Sequence, residues 1–395
     1  MSAAHSSNET RAFAMGILAE DLQCSVAVAC RLRQRGLEPV IVRDPSTPVA
    51  DADAVVVDLD LHHAGHTATA LIERWTNWLE SLGCSRLEVK LNAELRGSPD
   101  ALVAGIEGRS DENGILLVVP AYPTAGRVCV DGRLLAPMPA GNGLDVDVRT
   151  ALRIEDAEVV GLSVLNQGSE AVMAHVRAAL ARGTRRFVLD GTVETHLGAA
   201  AQVASRLHED GHRVATASTG GWVRFYPDLG RDGFVVVVTP ANHDTDRAQL
   251  RQLAAAYGTR ALITTAGEAA SWGPVVARKV LASHRVVALH ETDRDDPDRW
   301  VIAEQLAKAV RGLLDVSSRG DNKCLGAVVS GGLTTTALVR ELGGTSLSAG
   351  LELEPLCPAA RVAGGAFDGL RLLSKASGTG SEETLLRMTR QILGA

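Results

Sequence analysis

The nine residues Lys90-Leu-Asn92-Ala-Glu94-Leu-Arg96-Gly97-Ser98 crowd two cations, an amide and an acid into one glycine-ended turn. Lys90 and Arg96 could hold a substrate carboxylate or neutralise a transferring phosphoryl group. The helix-like run that starts at Pro99 would add backbone N–H groups to an anion site. The bland alternative is a solvated turn. Acids stand where strand-like runs end: Glu20 and Asp21 after one, Asp58 and Asp60 after another. A carboxylate beside a bound hydroxyl can serve as general base. For Asp21 a helix N-cap would also explain the residue, and the same holds for Asp58. Two glycine turns follow strand-like runs and precede helices, Ser330-Gly331-Gly332-Leu333-Thr334 and Lys375-Ala-Ser-Gly378-Thr-Gly380-Ser381. Strand, glycine turn, helix is phosphate-binding geometry. Neither turn has the Walker A or the Rossmann spacing.

Those residues need a scaffold that brings strand ends together. Apolar runs at 12–19, 38–42, 52–58, 85–89, 114–120, 158–162, 186–190 and 213–217 alternate with helix-like stretches at 22–35, 67–82, 99–106, 171–182 and 194–209. That alternation predicts βαβ units and a mainly parallel sheet covered on both faces. Trp75 and Trp78 fall on the expected inner face of the 67–82 helix. Asp131-Gly132 marks a hairpin within 127–135. The composition breaks at Tyr226–Gly233, YPDLGRDG, and the alternation then restarts. Strands are predicted at 234–239, 260–265, 286–290, 325–330 and 371–374. Helices are predicted at 245–257, within 269–283, and at 299–314, 334–342 and 382–393. Ligands of open parallel sheets bind beyond the carboxyl ends of the strands, where the polar residues above would converge.

Composition narrows the classes. At 395 residues two domains are expected. A net charge of −7 with no basic block argues against nucleic acid as partner. No apolar run is long enough to span a membrane. The polar start, MSAAHSSNET, reads as a disordered tail with no leader, and a cytoplasmic protein is expected. The six cysteines form no C-x-x-C pair and read as small buried hydrophobes. His62, His63 and His66 resemble metal spacing only superficially, so no metal ligand is assigned. Lysines number five against thirty-five arginines, which makes Lys90 and Lys375 conspicuous.

From Ile17 to the C-terminus the chain resembles the four-carbon acid sugar kinases, which phosphorylate threonate, erythronate and oxo-tetronates with ATP. The family's D-D-L-T-G-A is similar to Glu20-Asp21-Leu22-Gln23-Cys24-Ser25. Its K-x-D-S-T-L-R-G-N is similar to Lys90–Ser98. Its P-A-F-P-x-x-G-R matches Pro120-Ala-Tyr122-Pro123-Thr-Ala-Gly126-Arg127, and its G-S-A-G resembles Ser218-Thr-Gly220-Gly221. G-G-D-T appears as Gly331-Gly332-Leu333-Thr334, and K-x-G-G-F-G as Lys375-Ala-Ser377-Gly378-Thr379-Gly380. The chain departs from the family at several positions. Glu20 replaces Asp, Gln23-Cys24 replaces Thr-Gly, and Asn92-Ala93 replaces Asp-Ser. Leu61-His62 stands where an Arg for the substrate carboxylate is expected, Leu333 replaces Asp, and Thr239-Pro240-Ala241-Asn242 replaces a Ser-Gly-Ser.

The resemblance implies an α/β protein of two domains, each a mainly parallel sheet flanked by helices, with the ligand site in the interdomain cleft. After the tail, 1–11, an acid-sugar-binding domain would span 12–228 and a nucleotide-binding domain 229–395. Asp21, Lys90 and Arg96 are then the expected catalytic residues. Glu20, Asp58, Asn92, Glu94, Gly97, Tyr122 and Arg127 would bind the substrate. Ser330, Gly331, Gly332, Thr334, Lys375, Gly378 and Gly380 would bind ATP, with Mg²⁺ on its phosphates. The partner would be a small hydroxy acid, with a homo-oligomer an open option. Two functions remain open from sequence: a kinase with an altered substrate, or a relative that binds a ligand or does other chemistry without kinase activity.

Overall fold

The run Ala54–Asp58, Ala-Val-Val-Val-Asp, is buried at every residue, as a strand covered on both faces must be. The same holds for Ile115–Val119 and Phe234–Thr239. A computed structural model describes residues 13, 15–49, 52–61, 68–84, 86–107, 114–136, 143–226, 233–291, 299–320 and 322–394. The tail 1–11, most of the loop within 226–233 and the His62, His63, His66 cluster lie outside the described residues. The chain is an α/β protein that divides into two compact units, Met1–Gly230 and Arg231–Ala395. Each carries its own mainly parallel sheet.

In the first unit the strands are β1 (Met15–Ala19), β2 (Pro39–Val42), β3 (Ala54–Asp58), β4 (Leu87–Lys90) and β5 (Ile115–Val119), then β6 (Val128–Val130), β7 (Arg133–Ala136) and β8 (Leu144–Asp147), then β9 (Glu158–Val160), β10 (Arg186–Leu189) and β11 (Val214–Ser218). Eight of them pair in the order β2-β3-β1-β4-β11-β5-β10-β9, all parallel. The chain winds from β1 outward to β2 and β3, then crosses to β4 on the other side of β1. The switch point therefore lies between the carboxyl ends of β1 and β4, the usual crevice for a ligand. Helix Leu22–Gln34 follows β1, and its Val28, Ala29 and Leu32 are buried. In helix Ala68–Ser81, Trp75 is buried while Trp78 is only half-buried, and the two rings meet edge to face at 5.2 Å.

The small antiparallel sheet β6-β7-β8 turns at Asp131 and Gly132, with φ of 51° and 71°, as a type I′ hairpin requires. Its third strand, β8, is not signalled by the sequence, which predicts only the hairpin.

The second unit has β12 (Phe234–Thr239), β13 (Ala261–Thr265), β14 (Val286–His290), β15 (Cys324–Ser330), β16 (Ser346–Glu352), β17 (Pro358–Ala363) and β18 (Arg371–Lys375). The order is β13-β14-β12-β15-β18-β17-β16. Only β17 runs against the other strands, pairing antiparallel with both β16 and β18. Helix Arg299–Ser317 covers one face of this sheet, and Asp244–Tyr257 and Thr384–Leu393 cover the other. The switch point is between β12 and β15. The hairpin β16-β17 falls in 343–370, where the sequence predicts no element. All seven residues of β16 are exposed, so no period of burial marks it. No helix in the described residues is long and apolar enough to cross a membrane.

Candidate functional site

Strand register decides which polar residues share an edge. Ala19 pairs with Asp58 on one side and with Lys90 on the other, and Lys90 pairs with Ser218. Glu20, Asp21, Asp58, Lys90 and the turn after Ser218 therefore stand in one row at the carboxyl edge, astride the switch point.

Asp21 is the N-cap of helix Leu22–Gln34. Its Oδ1 accepts the Cys24 N–H at 2.7 Å, which fixes the carboxylate at the mouth. Asp58 has a fully buried side chain held by Arg43 at 2.8 Å, so it closes the edge of the row. Glu20 is buried, and its Oε1 accepts the Ser98 N–H at 3.3 Å. Gly97 sits against it, at a φ of +86°, with room for no side chain: a Cβ would lie 1.6 Å from Glu20 Oε1.

Lys90 is 4% exposed. Its Nζ donates to the Leu91 carbonyl at 2.5 Å and stands 3.8 Å from Cys24 Sγ. Burial pushes its pKa down, and the neighbouring Arg31 adds to that. Beneath it on the same face of β4 lies Glu88, with no exposure. Ser218 Oγ donates to Glu88 Oε1 at 2.5 Å and Trp222 Nε1 to Oε2 at 3.1 Å. Gly220 N–H donates to Ser218 Oγ at 2.8 Å. Burial raises the Glu88 carboxyl to about 7, against the pull of these hydrogen bonds and of Lys90.

The rest of the Lys90–Ser98 turn folds on itself. Asn92 Oδ1 accepts the Glu94 N–H at 2.9 Å, an Asx turn. Glu94 is gripped by Arg96 at 2.8 Å and Arg127 at 3.6 Å. Arg96 points outward, its side chain 69% exposed. Arg127 also donates to the Ala125 carbonyl, within the turn that Tyr122 opens. Tyr122 leaves that turn to meet Arg31, whose guanidinium lies 4.6 Å above its ring.

In the second unit the two glycine turns meet. Ser330 pairs with Lys375 across β15 and β18, and Gly331 N–H donates to the Lys375 carbonyl at 2.8 Å. Both turns hang on Asp246, wholly buried in helix Asp244–Tyr257. It accepts from Lys375 Nζ at 2.8 Å, Ser330 Oγ at 3.0 Å, Ser377 Oγ at 3.1 Å and Gly378 N–H at 3.2 Å. Gln249 donates to the Thr379 and Ser381 carbonyls, bracketing Gly380. Gly332 and Thr334 lie in the first turn of helix Gly332–Glu341. Thr334 is buried, Leu333 is half exposed, and the space above Gly332 is open. An open backbone at a helix N-terminus beyond a strand end suits a polyphosphate. Lys375 is turned inward, so its ammonium serves the fold of the turn. For Mg²⁺ the fit is poor. The Leu333 side chain carries no oxygen, Asp246 is occupied, and no group of three His, Cys, Asp or Glu side chains that could hold a metal exists among the described residues.

A family model for a sugar-binding N-terminal domain matches residues 15–226. The chain belongs to the four-carbon acid sugar kinase family. Its relatives run the whole length. A D-threonate kinase of Bordetella bronchiseptica is 24% identical over 96% of this chain and 97% of its own. A D-erythronate kinase of Heliobacterium modesticaldum is 24% identical over 95% and 93%. A 3-oxo-tetronate kinase of Pseudomonas fluorescens is 24% identical over 96% and 97%. A crystal structure from Bordetella bronchiseptica, a domain-swapped dimer with bound citrate, matches with a TM-score of 0.67 at 20% identity, over 97% of this chain and 99% of that one. It shares the fold.

Four residues of these two clusters escape sequence reading: Arg31, Glu88, Trp222 and Asp246. Glu88 does leave a signal, an acid inside the buried strand Leu-Glu-Val-Lys. Asp246 leaves none, since an acid in a first helical turn is ordinary.

Proposed function

We propose that this chain transfers the γ-phosphoryl group of ATP to a hydroxyl of a small hydroxylated acid. The supporting observation is the row at the first unit's switch point, a capped carboxylate at Asp21 beside the buried cation Lys90. Phosphoryl transfer asks a protein mainly for positioning and charge stabilisation. In this reading Asp21 takes the proton of the acceptor hydroxyl and Lys90 holds substrate oxygen. Arg96, exposed on the same turn, neutralises charge on the moving group. Glu20, Asn92, Glu94, Gly97, Tyr122 and Arg127 shape the pocket, and Asp58 closes its edge. When bound, ATP would supply the phosphoryl group, held by the backbone of Gly331–Thr334. Ser330, Lys375, Gly378 and Gly380 keep that cradle in shape through Asp246. Asn92 and Ala93, in place of the family's Asp and Ser, point to an acceptor changed from the usual tetronates.

Incubation with MgATP and a panel of D-threonate, D-erythronate, 3-oxo-tetronate and amino-hydroxy acids tests this reading. ADP release with one substrate class supports it. No release with any, and no rise in melting temperature with ATP, would sink it. The exposed Leu333 and the inward Lys375 favour a second reading, a ligand-binding relative without transfer. Stabilisation by ATP or by an acid without ADP release would support that one, because a ligand bound only to the native state raises stability.

A further inference from the structure

Helix Leu22–Gln34 carries Arg31 three turns from its cap, and the side chain runs back to the carboxyl edge of the sheet. Its Nε and Nη2 donate to the Tyr122 hydroxyl at 3.0 and 2.6 Å, and Nη1 donates to the Ala27 carbonyl at 3.2 Å. A guanidinium has five N–H groups, so two remain for a ligand. Gly220 brings Arg31 and Lys90 to one point. A Cβ built on it would stand 2.7 Å from Lys90 Cε and 3.1 Å from Arg31 Nη1. Its φ of +87° also suits glycine alone. Among the described residues neither cation has a carboxylate at ion-pair distance. Nearly every other arginine near these strand ends has one: Arg43 with Asp58, Arg96 and Arg127 with Glu94, Arg224 with Glu194. The nearest acid to Lys90 is Glu88, buried beneath it and already engaged by Ser218 and Trp222. On the open side the two like charges repel, and the repulsion is relieved when an anion binds between them.

We infer that Arg31, with Lys90, binds the carboxylate of the acid substrate, with Tyr122 aiming the guanidinium. The inference rests on reading this row as the acid-binding site. It gives the site a planar, bidentate donor for a planar anion, at the chain's own position and in place of the arginine missing at His62. Glu88 supports the arrangement from below. Through Ser218 and Trp222 it holds the turn that lays Gly220 on Lys90, and a Cβ on Gly221 would lie 2.8 Å from the Tyr122 ring.

The test titrates the full chain with D-threonate, D-erythronate and citrate, and with threitol as the neutral counterpart. Binding is read by calorimetry and by melting temperature. The wild type should bind one or more of the acids and bind threitol far more weakly. Arg31→Gln should weaken acid binding at least tenfold, leave ATP-induced stabilisation unchanged and, where turnover is seen, raise KM for the acid with little change in kcat. Arg31→Lys, which keeps the charge and loses the fork, should fall between the two. Tyr122→Phe should weaken the acid less than Arg31→Gln does. Unchanged acid affinity in a folded Arg31→Gln overturns the inference, as does a wild type that binds none of the three acids. Equal losses in Arg31→Lys, Arg31→Gln and Tyr122→Phe also overturn it, since the guanidinium would then serve only the tyrosine. If Arg31→Gln does not fold, Arg31→Lys and Tyr122→Phe decide alone. Acid binding that depends on Arg31 without ADP release sustains the inference and removes the kinase reading; ADP release independent of Arg31 does the reverse.

Discussion

Lys375 Nζ lies 2.8 Å from Asp246 Oδ1, and both side chains are wholly withdrawn from solvent. One buried ion pair thus joins the last strand of the second unit to its first helix and fixes both glycine turns. Losing one partner of such a pair leaves a desolvated charge, at a cost of about 3–5 kcal/mol. Asp246→Ala should destabilise the chain by about that much in urea unfolding, and ATP-induced stabilisation should vanish with it. The double variant Asp246→Leu with Lys375→Met should recover much of the loss, because it removes both charges. A double variant no more stable than Asp246→Ala would show that the hydrogen bonds to Ser330, Ser377 and Gly378 matter more than the charge.

Glu88 makes stability depend on pH in a defined direction. Its carboxyl is raised by burial from 4.5 to about 7. Between those values the folded state binds more protons than the unfolded state, so stability falls as pH rises. The full cost is present above about 7, and from the shift it is roughly 3 kcal/mol. Buried His196 works the other way below its ordinary value, because burial lowers its pKa. The difference between wild type and Glu88→Gln cancels that contribution. The variant should be the less stable protein at pH 5 and lose that disadvantage by pH 8. Parallel stability curves for the two proteins from pH 5 to 8 would contradict a raised Glu88.

The βαβ alternation was legible because parallel strands buried on both faces leave continuous runs, as in Phe234–Thr239. The hairpin Ser346–Glu352 and Pro358–Ala363 was not. Its first strand does alternate, with Leu347, Ala349 and Leu351 between Ser346, Ser348, Gly350 and Glu352, but it has a glycine inside it and is exposed on both faces, so no buried apolar run marks it. Asp21 and Lys90 could be placed at strand ends because each directly follows or ends an apolar run. Arg31 could not. In sequence it is one arginine among several on a helix, and its meeting with Tyr122 joins positions 91 residues apart. The same limit hid Asp246, which meets Lys375 across 129 residues.

Arg96 and Glu94 form a pair on the rim, at 2.8 Å with the arginine side chain 69% exposed. Pairs so exposed contribute little to stability, typically under about 1 kcal/mol. Arg96→Ala should therefore melt within a degree or two of wild type. Any large loss of kcat would then report contact with the reacting group. If turnover is measurable and stays within about twofold of wild type, removing a transition-state contact of ordinary strength is ruled out, and Arg96 has no part in transfer.

Gly97 and Glu20 test whether the turn after β4 is clamped to the end of β1. Gly97 has a φ of +86°, and a Cβ there would overlap Glu20 Oε1. Gly97→Ala therefore meets two penalties. One is the left-handed backbone, about 1 kcal/mol for alanine. The other is displacement of a buried carboxylate that accepts the Ser98 N–H. Loss of that hydrogen bond adds about 1–3 kcal/mol. The variant should lose both stability and acid binding, since Lys90 and Arg96 flank the displaced turn. Adding Glu20→Ala removes the clash but not the backbone strain, so the double variant should be more stable than Gly97→Ala alone. A double-mutant cycle read by urea unfolding gives the coupling directly. Additive losses would mean that the turn yields freely and that Glu20 does not set the position of Lys90 and Arg96.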